Sequence, residues 1–561
     1  MAGDEVPWPA PPREPGPWNG GPPLSPPGNT PLPPLPGSGG VVHGAAAQAN
    51  PWSEPAASGP GVWGAPGFGP QGSMPPPPGQ PGFPGLPAPP PKLVDRASAW
   101  VLALSAVVVV AVIAGGLYLG VKGGRQYPDA WDPRVDPIAA WVAEERELDF
   151  EHPVEVNFLS DGAYRARATE GGSTGSPEDD QYFADQAAQL RALGFLSGDV
   201  DLSEASDTLN DSGTLAYYDP DLEQVFVRGV ELTPDVRVTL AHELTHVLQD
   251  QNFDLERIDE FEDGRGAVLR ALAEGDATKV EDAFIEEGLN EADRATYLQE
   301  SETGGDAATE ELDAKVPPIL TTLFASPYIL GPRLIDYLDA VDGWEAIDEA
   351  LQEPPTEEAM FDPAAYGTND AGLHTVTVEP PAGTEVLETS TFGPTAWYLL
   401  LSARLDPKVA LQATDGWGGD ASVAYRKGDQ VCFDAAIAAD TPEDLAQLSK
   451  ALTDWSAKSP KGTSSATTEG DQVRFQSCDP GKEAEAVGNK VTTDLLALPT
   501  TRTDIYTQGI LADRTPAESQ CFADGAIGRF TFDQLSDPKG AYIRSDAGQM
   551  ILGELRAQCF K

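Results

Sequence analysis

The sequence predicts an α+β protein: a small antiparallel sheet plus helices, followed by a smaller α+β region held by disulfides. Three observations carry this. Leu215 to Tyr218 and Gln224 to Arg228 alternate as strands about the turn Asp219-Pro220-Asp221, and two runs of helical period follow, Val236 to Gln251 and Gly264 to Phe284. Past Gly416 the pattern returns to strands, Val423 to Arg426 and Gln430 to Phe433, about Lys427-Gly428-Asp429. All four cysteines, Cys432, Cys478, Cys521 and Cys559, fall in that last part, an even number as expected of two bridges formed in an oxidising compartment.

Taken from the N-terminus, residues 1–96 are dominated by Pro and Gly with few charges. Such a stretch buries too little apolar surface to offset its ordering entropy, so a disordered, partly polyproline tail is expected. Its runs Pro75 to Pro78 and Pro89 to Pro91 are expected to serve as a spacer with no dedicated partner, the alternative being to dock in the aromatic groove of an unidentified cytoplasmic partner. Residues 97–121 hold no charged side chain and are rich in Val, Ala, Leu and Ile, enough at about 1.5 Å per residue to cover a bilayer core of roughly 30 Å. They are expected to cross a lipid bilayer once as an uncleaved signal anchor. The flanking charges, Lys92 and Arg96 against Lys122 and Arg125, do not orient the span. The cysteines do, placing the N-terminus in the cytoplasm and the rest outside the cell membrane. A linker at 122–136 then leads to one folded unit at 137–405 and a second at 406–561.

Within the first unit, Asp313 to Ala350 reads as helix with a break at Gly331-Pro332, and Tyr398 reads as core of a buried helix. Within the second, Pro442 to Ser456 is an amphipathic helix and Val473 to Cys478 a returning strand. That pairs Cys432 with Cys478 and leaves Cys521 to join Cys559 between two terminal helices.

Composition narrows the chemistry. With 89 Asp plus Glu against 36 Lys plus Arg, the net charge is -53, which is incompatible with tracking phosphates over most of the surface, so nucleic acid is not expected as a partner. The chain has 5 His, and two of them stand in His242-Glu243-Leu244-Thr245-His246. Leu240, Leu244, Val247 and Leu248 recur with helical period, giving a helix with one buried face. On it His242 and His246 project from adjacent turns on one side, at a spacing that lets two imidazoles hold one zinc ion. Glu243 is rotated by about 100° and can hydrogen-bond water at the metal without becoming a ligand. A bland alternative is two surface histidines beside a structural glutamate.

A catalytic zinc needs a third protein ligand and an open position. The next helical run supplies Glu274, and its small neighbours Ala271, Ala273, Gly275 and Ala277 would let it approach the His helix closely. Rivals for third ligand are His374, Asp276 and, more remotely, His152. A donor for the developing oxyanion is sought in Tyr366 and His374.

These residues resemble the zincin superfamily of zinc metallopeptidases, in particular the gluzincin branch: His-Glu-Leu-Thr-His at 242–246, then Ala-Leu-Ala-Glu-Gly-Asp-Ala at 271–277 on a second helix. The resemblance spans Tyr217 to Glu281. Weaker likeness at Ser326 to Pro332, Pro354 to Glu358 and Phe361 to Tyr366 is to uncharacterised bacterial secreted or membrane-anchored members. It implies a zincin-like fold, His242, His246 and Glu274 as ligands of one catalytic Zn2+, Glu243 as general base and later acid, and a protein or peptide as substrate. It also implies that the hairpin's edge strand pairs with the substrate backbone. One departure is Thr278, where thermolysin-like members carry an Asp partner to a ligand His; Asp276 or Glu281 would take that part. The competing functions are an inactive zincin-fold adhesion or scaffold protein, and a zinc amidase acting on cell-wall peptide.

Overall fold

The computed structural model describes residues 127–168, 176–211, 215–261, 263–365, 373–484, 491–537 and 540–560. The tail read at 1–96, the span read at 97–121 and Tyr366 lie outside them. Among the described residues no helix is long and apolar enough to cross a membrane. The longest, with 35 residues, has the length but carries Arg333, Asp336, Asp339 and Glu345. The reading of a single-pass anchor, and the cell-membrane location built on it, are corrected to what these residues carry: no membrane-crossing helix among them supports either.

The first part of the described chain runs α1 (Asp136–Arg146), β1 (Glu155–Leu159), α2 (Asp161–Ala168), α3 (Pro177–Ala192), α4 (Leu202–Asp211), β2 (Ala216–Asp219), β3 (Gln224–Arg228), α5 (Pro234–Phe253), α6 (Arg265–Ala283), α7 (Glu291–Lys315) and α8 (Pro318–Gln352). The hairpin β2–β3 stands where its alternation puts it, but the sheet is mixed and not antiparallel throughout. β1 adds to β3 in parallel, Glu155 opposite Gln224 and Leu159 opposite Arg228, giving the order β1-β3-β2. At five residues, none of them fully buried, β1 lacks the alternation that reveals a strand.

α5 starts where Thr233 accepts a hydrogen bond from the Val236 N–H, with Pro234 in the first turn. Its burial is wider than one face: Val238, Leu240, Ala241, Leu244, Val247 and Leu248 are all inaccessible, because α1, the sheet, α6 and α7 surround it. α6 follows Gly264, whose positive φ of 87° turns the chain into the helix.

The break expected at Gly331-Pro332 is absent. α8 continues through Pro327 and Pro332 and is disrupted later, at Asp342 and Gly343. Gly331 instead permits a close helix crossing. A Cβ there would lie 2.0 Å from the Ala271 carbonyl oxygen, and one on Gly275 would lie 2.5 Å from the Gly331 carbonyl carbon. Ala271 and Gly275 thus bring α6 against α8, while Ala273 meets α5 as the sequence pattern suggests, its carbonyl accepting from Gln249 (3.0 Å).

The second part comprises β4 (Glu385–Ser390), α9 (Gly393–Ser402), α10 (Pro407–Thr414), β5 (Trp417–Lys427), β6 (Gln430–Ala439), α11 (Pro442–Ala457), β7 (Ser464–Glu469), β8 (Gln472–Cys478), α12 (Ala497–Leu511), α13 (Pro516–Arg529) and α14 (Asp546–Cys559). Its sheet is antiparallel in the order β4-β5-β6-β8-β7. Cys432 and Cys478 face each other across β6 and β8 and are bonded, and Cys521 bonds Cys559 between α13 and α14, the two pairs read from the sequence. Trp397, Phe433, Trp455 and Phe475 fill the core, and Tyr398 is buried with its hydroxyl donating to the Leu495 carbonyl (2.6 Å). One apolar cluster runs from α3 through α6 and α8 into this sheet and on to α14.

Candidate metal centre

α5 and α6 cross so that His242, His246 and Glu274 meet, the one group of His, Cys, Asp or Glu among the described residues able to hold a metal ion. His242 Nε2 lies 3.1 Å from His246 Nε2, and Glu274 Oε2 lies 3.3 Å and 3.4 Å from those two nitrogens. A tetrahedral ion at about 2.0–2.1 Å from each ligand sets the ligand atoms roughly 3.3 Å apart. The three atoms therefore already have the mutual spacing of a zinc site.

What surrounds them fixes which atoms point inward. His242 Nδ1 is 2.9 Å from Glu281 Oε2, and His246 Nδ1 is 2.9 Å from Gln249 Oε1. Both partners accept, so each ring carries its proton on Nδ1 and turns the lone pair of Nε2 toward the centre. Glu274 Oε1 accepts from the Tyr328 hydroxyl of α8 (2.9 Å), while Oε2, fully buried, accepts no hydrogen bond. A buried carboxylate oxygen without a donor is costly, and its position between two imidazole nitrogens is one that a shared cation would satisfy.

Glu243 is 1 % exposed. Its Oε2 accepts from the Tyr218 N–H of β2 (2.8 Å), and its Oε1 is buried with no hydrogen bond. Burial pushes this carboxyl above its ordinary range, opposed by the two imidazoles. The geometry is that of a base with one oxygen anchored and the other available. It also revises the part expected of the hairpin. All four residues of β2 are buried and the N–H of Tyr218 is committed to Glu243, so the strand takes the added part of positioning the base.

Of the rival ligands, none joins the cluster. Asp276 is buried beneath it, accepting from Gln249 Nε2 (2.9 Å) and from Arg146 Nε of α1 (2.9 Å). Arg146 is inaccessible and also pairs with Asp348 beside Trp344, so a chain His246–Gln249–Asp276–Arg146 ties the second histidine to α1 and α8. His152 stacks on Tyr127 (3.4 Å) and meets Glu223 (3.2 Å). His374 is exposed, and its N–H donates to the Gly418 carbonyl (2.8 Å) on β5. As ligand it is corrected: it stands outside the group of His242, His246 and Glu274, and that backbone contact is with the second sheet.

Glu281 takes the part left vacant at Thr278. It lies seven residues after Glu274, one turn beyond the usual position on the same face of α6, and reaches His242 from there. Tyr328 and Gln249 are partners of the clustered side chains that sequence reasoning misses. Gln249 was legible as three residues after His246 on one helix, whereas Tyr328 lies 54 residues from Glu274 and gives no local signal.

Residues 382–501 match a domain of unknown function, DUF8575. The match covers about a fifth of the chain and takes in β4 to β8 with α9, α10 and α11. No curated protein and no solved structure matches the chain. The metal-centre helices α5 and α6 thus lie outside the matched region, and the DUF8575 region packs against α6 and α8 through the shared apolar cluster.

Proposed function

We propose that the chain is a zinc-dependent peptidase. The observation that carries this is the convergence of His242 Nε2, His246 Nε2 and Glu274 Oε2 at 3.1–3.4 Å beside a buried Glu243 with one oxygen unpartnered. The three ligands would hold one zinc ion, which supplies a Lewis acid that acidifies water and polarises a carbonyl.

The protein's own residues do the rest. Glu243, pinned through Oε2 by the strand amide of Tyr218, presents Oε1 to take a proton from water and pass it to the leaving amine. Burial supports the first half of that cycle, because a carboxyl held above its ordinary range is the better proton acceptor. Glu281 and Gln249 hold the imidazoles in one tautomer and Tyr328 holds Glu274, so ligand atoms do not have to reorganise. Peptides are favoured over other acyl compounds by the resemblance at Tyr217 to Glu281.

The test is metal content of the purified chain by elemental analysis, run beside His242→Ala. About one zinc per chain in the parent and none in the variant is the expected result. Absence of zinc in the parent after expression with metal present would refute the proposal and favour the scaffold reading.

A further inference from the structure

His152, a remote rival for the metal on sequence grounds, stands where three segments meet. β1 runs parallel to β3 from Glu155 opposite Gln224, so the residues just ahead of β1 come back over the turn that joins β2 to β3. His152 Nε2 lies 3.2 Å from Glu223 Oε2 in that turn, and the Tyr127 hydroxyl donates to Glu223 Oε1 (3.0 Å). The Tyr127 and His152 rings stack with their centroids 3.4 Å apart. From α5, Gln251 Nε2 donates to the His152 carbonyl (3.0 Å), and Gln251 Oε1 accepts from the Glu151 N–H (2.8 Å).

Two features set this junction apart. Glu223 has a φ of 50°, in the left-handed region that a side chain other than glycine's rarely adopts. Glycine would make the turn without strain, and the glutamate found there directs both carboxylate oxygens to Tyr127 and His152. The second feature is that both nitrogens of the His152 ring face acceptors: Nε2 the Glu223 carboxylate, and Nδ1 the Pro153 carbonyl oxygen (3.3 Å). The Gln251 amide nitrogen is 3.4 Å from Nδ1, but its shorter contact is with the His152 carbonyl. A neutral imidazole has one N–H and meets one of the two acceptors, whereas an imidazolium meets both.

The turn matters because of what its strand holds. Tyr218 of β2 pins Glu243 Oε2 through its N–H (2.8 Å) and reaches Asp250 Oδ2 of α5 through its hydroxyl (2.7 Å). Glu223 follows five residues later, at the far end of the same turn. We propose that His152 and Glu223 form a proton-operated clamp that holds the β2–β3 hairpin on α5, and with it the amide that positions Glu243. With the ring protonated the clamp is closed; loss of the proton removes the ion pair and one hydrogen bond, and the hairpin loosens. Histidine is the side chain that ordinarily exchanges a proton between about pH 5 and 8. His152 and Glu223 are positioning residues, outside the group that can hold a metal. The effect on catalysis rests on the peptidase reading, whereas the effect on the hairpin does not.

The other titratable groups at the junction are Tyr127 and, on α5, Asp250. Burial pushes the Asp250 carboxyl above its ordinary range, opposed by the Tyr218 hydroxyl and the Leu255 N–H and reinforced by Glu223 and Asp254. Its titration persists when the histidine is replaced, so substitution separates the two.

The experiment is hydrogen exchange on the full chain at about pH 5.5 and about pH 8.5, read by mass spectrometry on peptides covering 215–228 and corrected for the intrinsic exchange rate. Protection of the hairpin is expected to fall by about 5-fold from the lower pH to the higher in the parent, and to stay level in His152→Gln and Glu223→Gln. The glutamine at 223 keeps an acceptor for Tyr127 and removes the charge, and it decides the matter if the variant at 152 does not fold. On a peptide that the parent cleaves, kcat/KM of parent over His152→Gln should be about 5-fold at the lower pH and close to one at the higher, with zinc content equal. Parent protection that does not change with pH, or variants that keep the parent's change, overturns the clamp. A clamp seen in exchange with a kcat/KM ratio that pH leaves alone overturns its link to Glu243. Cleavage of no peptide overturns the peptidase reading, and exchange still decides the clamp.

Discussion

Two buried carboxylates show how differently the two parts of the molecule use charge. Asp420, at the core of the DUF8575 region, accepts from the backbone N–H groups of Phe392 (2.6 Å) and Gly393 (2.9 Å) and from the indoles of Trp397 and Trp417 (2.9 Å each). Glu243, at the metal centre, accepts one backbone hydrogen bond and leaves its other oxygen unpartnered. The first is a structural cap: its donors at the start of α9 and from the two indoles compensate the loss of hydration. The second is unfinished as structure, and its unused oxygen sits beside three converging ligand atoms. Burial alone marks neither as functional; the count of donors separates them.

The comparison breaks most decisively at Glu243. Glu243→Gln keeps the Tyr218 contact as an acceptor but removes the base, so hydrolysis should fall by about 10²- to 10⁴-fold while zinc stays bound. Loss of zinc in this variant would make Glu243 a ligand and end the proposed division of labour. The mirror change, Asp420→Ala, strands four donors in the core and should cost about 4 kcal/mol in a denaturant titration, with zinc stoichiometry unchanged in the folded fraction. A cost near zero would show that the cap is dispensable.

A third carboxylate lies between these extremes. Glu357 accepts one hydrogen bond and has its carboxyl raised by burial to about 7, against an ordinary 4.5. The folded state therefore binds this proton more tightly than the unfolded chain, and the stability that proton uptake contributes is lost as pH rises from 4.5 through 7. Glu357→Gln should match the parent at about pH 4 and exceed it above about pH 8, by up to roughly 3 kcal/mol. A difference independent of pH would place the group in its ordinary range. The smallest effect is expected at Gln249→Leu, which takes the acceptor from His246 Nδ1. Zinc affinity should fall by about 10- to 100-fold with the fold intact, and affinity unchanged within about a factor of two would remove the chain through Asp276 and Arg146 from the metal centre's support.

The legible part of this protein was local. Hairpin, helices and cysteine pairs could be read because each is written in a period or spacing that backbone geometry imposes: about two for strands, about 3.6 for helices, and facing positions on neighbouring strands for Cys432 and Cys478. β1 escaped because a short parallel strand, half-buried along its length, has no alternation to show. The break assigned to Gly331-Pro332 failed for a related reason. Residue preferences describe an isolated helix, and here close packing of Gly331 on Ala271 and Gly275 outweighed the missing donors of Pro327 and Pro332.

By itself, the sequence determined a helix with His242, Glu243 and His246 in fixed relation, since positions four apart on one helix lie on one face whatever surrounds them. It offered Glu274 as third ligand against the rivals His374, Asp276 and His152. Tertiary structure decided between them: the crossing of α5 and α6 brought Glu274 to the imidazoles, sent Asp276 below them to Arg146, and placed His374 on the second sheet. Tyr328 and Arg146 belong wholly to that level, because each depends on segments distant in the chain whose approach is set by side-chain volume across the whole core, which no local period records.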